Sequence, residues 1–382
     1  MKLMPSSNIV MCDLKGQYDK ISAEVNTAIQ EVLNTTSFIK GAEVTLFQDE
    51  LAQYLGVKHV IGCANGTDAL QIALMALGLK PGDEVITPDF TFIATVEVVA
   101  LLGLTPVLVD VDPLTYNMDI ASLQKAITTR TKAIIPVHLF GQCANMEQIM
   151  NVAAQHNVYV VEDNAQAIGA DYTFSNGRSQ KAGTIGHIGC TSFFPSKNLG
   201  CYGDGGALFT NDDALAEEIR SIANHGMKVR YHHDRIGVNS RLDTVQAAVL
   251  RIKLKHLDEY CTARKNAADL YDSLLGKSTN LKVPVRSAFS SHVFHQYTLR
   301  LINGDRDLVI KKLAELGIPA MVYYPIPLHK QKAFEVYQQS AATKAFPNSA
   351  LLSQQVFSLP MHTELTPELV TFIAEGVLKS VE

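Results

Sequence analysis

The sequence predicts an α/β fold with a mostly parallel sheet covered by helices, followed by a smaller α+β unit, and three observations support this. From His59 onward, short β-rich runs alternate with amphipathic helical segments. In the last third of the chain that regular alternation stops. And 382 residues, 47% of them hydrophobic, suffice to bury a sizeable core and suit two units rather than one. We expect residues 1–250 to form the larger domain and residues 251–382 the smaller.

In chain order, helical spacing at 18–33 and 47–55, with Gly56 as a stop and a loop at 37–41, predicts a helical lead-in. Strands are expected at 60–64, 84–87, 107–111, 133–139 and 158–161, and helices at 67–77, 92–102, 120–127 and 146–156. Right-handed crossovers then place the loops after these strands along one sheet edge, where ligands of open α/β sheets bind. Two more apolar runs, 190–194 and 206–210, read as strands bracketing a loop rich in aromatic and small residues. A long helix over 242–275, interrupted or bent, marks the passage to the smaller unit. There a strand is expected at 293–301, a helix at 307–316, a strand at 320–323 and a last helix at 367–378.

Composition excludes several classes. A net charge of -5 with no long basic run leaves no electrostatic footprint for nucleic acid. No apolar stretch is long enough for a signal peptide or a membrane span, so a cytoplasmic protein without membrane partners is expected. The six cysteines, Cys12, Cys63, Cys143, Cys190, Cys201 and Cys261, form no CxxC pair and read as reduced. His232 and His233 lack the spaced cysteine or carboxylate that a metal site needs, and read as a loop near a pocket.

The chemistry gathers at the strand ends. Lys197 stands in Ser-Phe-Phe-Pro-Ser-Lys-Asn-Leu-Gly, surrounded by backbone and rings; a partly desolvated ammonium loses its proton more easily, and the neutral amine can attack a carbonyl. A solvated surface lysine is the other reading. Gly66 and Thr67 pass from strand to helix, leaving free amides and a hydroxyl that suit a phosphate, or else a plain turn capped by Thr67. Phe92 offers a ring over the same edge, for stacking or for core. Asp163 follows an apolar strand, where a carboxylate needs a cationic partner such as a protonated ring nitrogen unless it caps the next turn; Glu162 is expected to be the more exposed of the two. With Ser192 near Lys197, the parts are a phosphate seat, a ring, a carboxylate and a lysine, which is what a pyridoxal phosphate site must supply.

These motifs, as a set and over almost the whole length, resemble the DegT/StrS family of nucleotide-sugar aminotransferases, which are fold type I pyridoxal 5′-phosphate enzymes. The resemblance implies that Lys197 forms the Schiff base with the cofactor and shuttles the proton, and that Asp163 keeps the pyridine nitrogen protonated. It further implies that Gln166 lies beside the ring and its phenolic oxygen, that Phe92 stacks on it, and that Gly66, Thr67 and Ser192 cradle the phosphate. Gly-Val-Asn-Ser-Arg-Leu-Asp resembles the segment that crosses a homodimer interface, bringing Asn239 to the neighbour's phosphate and Arg241 to its substrate; a helix cap is the reading from residues alone. Tyr324, Tyr323 and His329 match a segment lining the sugar pocket, with ordinary packing as the other reading. Relatives that act as dehydratases replace the lysine by histidine, and this chain keeps Lys197.

The implied reaction takes an amino group from glutamate to a keto nucleotide sugar. The match is with the branch that aminates carbon 3, in particular of UDP-2-acetamido-2-deoxy-3-oxoglucuronate for bacterial surface polysaccharide. Tyr323 stands where that group is expected to carry histidine, which leaves a dTDP-3-oxo-6-deoxyhexose as the alternative acceptor. A regulatory protein that binds cofactor or sugar without turnover is the reading from another class, against which the intact lysine and aspartate stand.

Overall fold

The computed structural model describes residues 9–338 and 345–382. Two helices lead in, α1 (Leu14–Thr35), capped by the Asp13 side chain, and α2 (Ala42–Leu55), closed by Gly56 in the left-handed region. The alternating part follows as β1 (His59–Cys63), α3 (Gly66–Ala76), β2 (Glu84–Pro88), α4 (Ala94–Leu101), β3 (Thr105–Val109), α5 (Ile120–Ala126), β4 (Thr131–Ile134), α6 (Met146–His156) and β5 (Tyr159–Asp163). A small hairpin, β6 (Asp171–Thr173) with β7 (Ser179–Lys181), precedes β8 (Ile188–Ser192), β9 (Gly206–Thr210) and α7 (Asp213–Ile222). A second hairpin pairs β10 (Met227–Val229) with β11 (His232–His233).

Seven of these strands form one sheet in the order β1-β9-β8-β5-β4-β2-β3. All neighbours are parallel except around β9, which runs antiparallel to both β1 and β8. Period-two alternation sorts the apolar runs onto two faces. Val85, Ala133 and Val161 pack with α3, α4 and α7, whereas Ile86, Ile134 and Val160 pack with α5 and α6. Burying both faces is why these strands read as continuous apolar runs, each large side chain contributing about 1.5–3 kcal/mol.

The helix expected over 242–275 is two, α8 (Thr244–Leu254) and α9 (Leu257–Leu275), broken at Lys255 and His256. Beyond it, β12 (Leu281–Lys282), β13 (Tyr297–Leu301) and β14 (Val356–Leu359) make an antiparallel sheet. Around them come α10 (Arg306–Glu315), α11 (Glu335–Gln338), α12 (Pro347–Gln355) and α13 (Pro367–Val381). Tyr271, Tyr297, Leu299, Phe357 and Ile373 share its core.

Three expectations need correction. Residues 320–323 form no strand: Met321 makes a single bridge to Ser358, and the chain then enters a stretch where Pro325 and Pro327 lack the donors a ladder needs. Residues 135–139 leave β4 after Ile134, ending in a tight turn where Phe140 and Gly141 have φ of 58° and 105°. His232 and His233 lie exposed on a strand of a hairpin rather than in a loop. No helix among the described residues is long and apolar enough to cross a membrane.

Candidate active site

The C-terminal ends of β1, β2, β4, β5 and β8 and the start of β9 share one sheet edge, and the candidate residues cluster there. Alternation along β5 sends its last two carboxylates to opposite faces: Asp163 follows Val161 toward α4, and Glu162 follows Val160. Glu162, expected to be the more exposed, is fully buried. Its Oε1 accepts from the backbone N–H of Ile185 (2.6 Å) and Gly186 (2.5 Å), and its Oε2 from the N–H of Gly183 (2.9 Å) and from His138 Nε2 (2.8 Å). The N–H of Ala144 donates to His138 Nδ1 (3.1 Å), so that nitrogen carries no hydrogen and Nε2 donates. Four donors on one carboxylate explain how it is tolerated in the interior.

Asp163 is 6% exposed. Thr95 Oγ1 donates to its Oδ2 at 2.8 Å and the N–H of Ala165 to its Oδ1 at 3.1 Å. Burial pushes its pKa up, while the hydrogen bonds from Thr95 and Ala165 and the charge of Lys197 pull it down. Lys197 sits in the loop joining β8 to β9, half-buried, its N–H donating to Phe194 O at 2.8 Å. Burial lowers its ammonium from 10.5 to about 8, with Asp163 acting in the opposite direction. His295, buried and with no partner for Nδ1, lies close enough to feel the Lys197 charge and is held neutral by its burial.

Gly66 brings the N-terminus of α3 against the end of β8. A Cβ there would lie 2.7 Å from Cβ of Ser192, and one at Gly206 2.4 Å from Asn65 O, so only glycines allow the approach. Asn65 caps α3 by accepting from Asp68 N, which leaves the N–H groups of Gly66 and Thr67 at the helix start for a ligand. Across the same edge, Gln166 Oε1 accepts from Phe140 N (2.7 Å) and its Nε2 donates to the Tyr324 hydroxyl (3.1 Å). Phe90 and Phe92 place ring centroids 6.1 and 6.2 Å from that of Tyr324; Phe90 is buried, but Phe92 is 53% exposed, with a face available. Tyr323 is half-buried against Tyr324, with ring centroids 6.1 Å apart.

His329 stands one loop away, its Nδ1 2.6 Å from Asp89 Oδ2 and its N–H donating to Asp89 Oδ1 at 2.7 Å. The chain therefore brings together Lys197, Asp163, Gly66, Thr67, Ser192, Phe92, Gln166, Tyr323 and Tyr324 at one edge. Among the described residues, no hydrogen bond joins Asn239 or Arg241 to this group. Between them Ser240 is buried, accepting from Ala64 N at 3.0 Å, while Asn239 is exposed and Arg241 lines a separate cavity with Lys40, Arg220 and Lys228.

Residues 19–378 match the DegT/DnrJ/EryC1/StrS aminotransferase family. The chain belongs to this family. Such a DegT-family aminotransferase depends on pyridoxal 5′-phosphate, and the residues present fit that group: unpaired amides beside the Gly66 and Ser192 contact for a phosphate, a buried carboxylate for a ring nitrogen, and a lysine whose amine is freed near neutral pH. The UDP-2-acetamido-2-deoxy-3-oxo-D-glucuronate aminotransferase of Pseudomonas aeruginosa is 49% identical over 97% of this chain and 99% of its own. The UDP-N-acetyl-3-dehydro-alpha-D-glucosamine 3-aminotransferase of Acidithiobacillus ferrooxidans is 46% identical, covering 98% of each chain. Among solved structures, DesV of S. venezuelae, captured with a ketimine intermediate, superposes with a TM-score of 0.92 at 37% identity, covering 99% of both chains.

Sequence reasoning missed Thr95, His138, Asp89 and the burial of Glu162. Thr95 did carry a signal, since it is a hydroxyl in a helix whose neighbours Ala94, Val96, Val98 and Val99 are apolar and buried. His138 and Glu162 carried none, because their partners lie 24 positions apart in sequence.

Proposed function

We propose that this aminotransferase moves the amino group of glutamate to carbon 3 of a keto nucleotide sugar, UDP-2-acetamido-2-deoxy-3-oxo-D-glucuronate, for bacterial surface polysaccharide. The observation that carries this reading is the near-full-length 49% identity to the P. aeruginosa enzyme, joined to a Lys197 amine beside a buried Asp163. When bound, pyridoxal 5′-phosphate supplies an electron sink at the amino-bearing carbon and carries the nitrogen between the two half-reactions. Gly66, Thr67 and Ser192 hold its phosphate, Phe92 covers one ring face, Gln166 stands beside the phenolic oxygen, and Asp163 pairs with the ring nitrogen. Lys197 Nζ takes the proton from the reacting carbon of the donor and, in the second half, returns one to carbon 3 of the sugar. An ammonium held near 8 makes both directions accessible close to neutral pH.

Tyr323, Tyr324 and His329 belong to the sugar side, with Asp89 fixing the His329 ring. Asn239 and Arg241 serve the site of a second copy in a homodimer. Supporting this, Phe38, Ile39, Tyr231 and Ile236 are exposed around that segment, and Ile39 bridges Asp243. Arg241 is then the counter-ion for the uronate carboxylate. The same reading takes residues 1–250 as the cofactor domain and 251–382 as the smaller one, split near the break between α8 and α9, and places the protein in the cytoplasm, in keeping with six unpaired cysteines.

The test is the absorbance of the reconstituted protein. Glutamate should bleach the cofactor band, and the 3-oxoglucuronate should restore it. Restoration by UDP-3-dehydro-N-acetylglucosamine or a dTDP-3-oxo-6-deoxyhexose instead would replace the acceptor. No bleaching by glutamate would overturn the donor.

A further inference from the structure

We propose that Thr95 is a positioning residue for amino transfer, its hydroxyl, backed by that of Thr91, holding Asp163 as the anion presented to the cofactor ring. The inference rests on the reading that Asp163 faces the ring nitrogen. Among the described residues only two groups donate to this carboxylate, the N–H of Ala165 at 3.1 Å and the Thr95 hydroxyl at 2.8 Å, and Thr95 is the only side chain of the two. A hydroxyl has one hydrogen, and an ionised carboxylate only accepts, so that hydrogen is committed to Asp163. The lone pairs of Thr95 are left for the Thr91 hydroxyl, 3.4 Å away, which therefore points its hydrogen the same way. Both threonines are buried, so bulk water does not compete for either bond.

Packing alone does not call for this hydroxyl. Thr95 sits in the first turn of α4 among Ala94, Val96, Val98 and Val99, where valine fills the same volume without a polar atom to satisfy. Burial by itself drives Asp163 toward its neutral form, which would leave a ring nitrogen without an anion. The other titratable groups facing it are Lys197 from the β8–β9 loop, His138 from the exit of β4, Cys190 on β8 and Tyr324 from the sugar-side segment. A neutral donor stabilises the carboxylate without adding a cation, so the ring nitrogen keeps its partner.

The experiment uses the apoprotein and pyridoxine 5′-phosphate, an alcohol that cannot bond covalently to Lys197 and so reports ring and phosphate contacts alone. Its dissociation constant is measured from pH 5 to 8 for wild type, Thr95→Val and Thr95→Ser, each with Asp163 intact and with Asp163→Asn. We expect Thr95→Val to weaken binding about tenfold, the scale of one hydrogen bond to a charged group, and Thr95→Ser to stay within about threefold. The Thr95→Val effect should shrink below about twofold beside Asp163→Asn, because the two residues act as a unit. The pH at which binding falls away on the acid side should move upward in Thr95→Val, since losing a donor disfavours the anion, and stay in place in Thr95→Ser. Equal losses in both Asp163 backgrounds, or no loss, overturn the role of Thr95. If Asp163→Asn alone leaves binding unchanged, the placement of Asp163 at the ring fails instead, and this proposal fails with it. Should Thr95→Val not fold, Thr95→Ala against Thr95→Ser isolates the hydroxyl, because both lack the methyl.

Discussion

Glu162→Gln exchanges one carboxylate oxygen for an amide nitrogen at nearly constant shape, and the surroundings of Glu162 let its effect be worked out. If the nitrogen takes the place of Oε1, it meets the N–H groups of Ile185 and Gly186, donor against donor. If it takes the place of Oε2, it meets the N–H of Gly183 and His138 Nε2. His138 cannot adapt by moving its hydrogen to Nδ1, because Ala144 already donates there. In either orientation two donors that are wholly or partly buried lose their acceptor, and at about 1–3 kcal/mol for each the substitution should destabilise the apoprotein by roughly 2–6 kcal/mol. Urea unfolding followed by circular dichroism, with wild type and variant compared at their midpoints, measures it. A loss below about 1 kcal/mol would refute the reasoning, since the amide would then replace the carboxylate without leaving those donors unpaired.

The remaining expectations concern the site itself. Lys197→Ala should still bind pyridoxal 5′-phosphate through its phosphate and ring contacts while losing glutamate-dependent bleaching; bleaching at the wild-type rate would remove Lys197 from the reaction. Because the amine is the reactive form and its ammonium is lowered to about 8, borohydride trapping of the cofactor by wild-type protein should rise about tenfold per pH unit below 8 and level off above it; a rise continuing toward 10.5 would mean an ordinary lysine. Gly66→Ala puts a Cβ 2.7 Å from Ser192 and should weaken cofactor binding about 5- to 150-fold, given about 1–3 kcal/mol for overpacking; unchanged affinity in equilibrium titration would show that the cradle is not there. Mixing inactive Lys197→Ala with inactive Arg241→Ala should restore about a quarter of wild-type activity, since a symmetric pair with shared sites leaves one intact site in each mixed dimer, and no recovery would place Arg241 in its own chain's site.

Much of the sheet was legible because strands buried on both faces write themselves as apolar runs, as at Val85 with Ile86 and Val160 with Val161. Lys197, Gly66 and Asp163 were legible because each is chemically out of place in its segment. The polar groups that make Asp163 and Glu162 tolerable were harder to find. Gly183, Ile185 and Gly186 act on Glu162 through backbone N–H, which any residue but proline supplies, so their identities announce nothing. The false strand at 320–323 had suitable side chains, but its fate was settled by the prolines after it and by β14, which bridges it at one residue only. Asn239 and Arg241 were singled out by motif, and the exposure of Asn239 and the cavity that Arg241 lines are properties of three-dimensional placement that no local pattern carries.

The one reversed strand, β9, has a mechanical consequence for Lys197. Most loops at this edge lead into a helix and are anchored at their far end by that helix alone. The stretch from 193 to 205 instead leaves β8 at Ser192 and returns at Gly206, its register partner on β9, and the Phe193 N–H donates to Gly205 O at 2.7 Å. Both ends of the loop are thus fixed about 5 Å apart by a main-chain ladder. Sliding that ladder by one residue would carry the lysine about 3.3 Å along the strand and turn alternate side chains to the other face. The reach of the amine is accordingly gauged by the pairing of two strands, and substitutions within β8 or β9 that preserve their register leave it where it is.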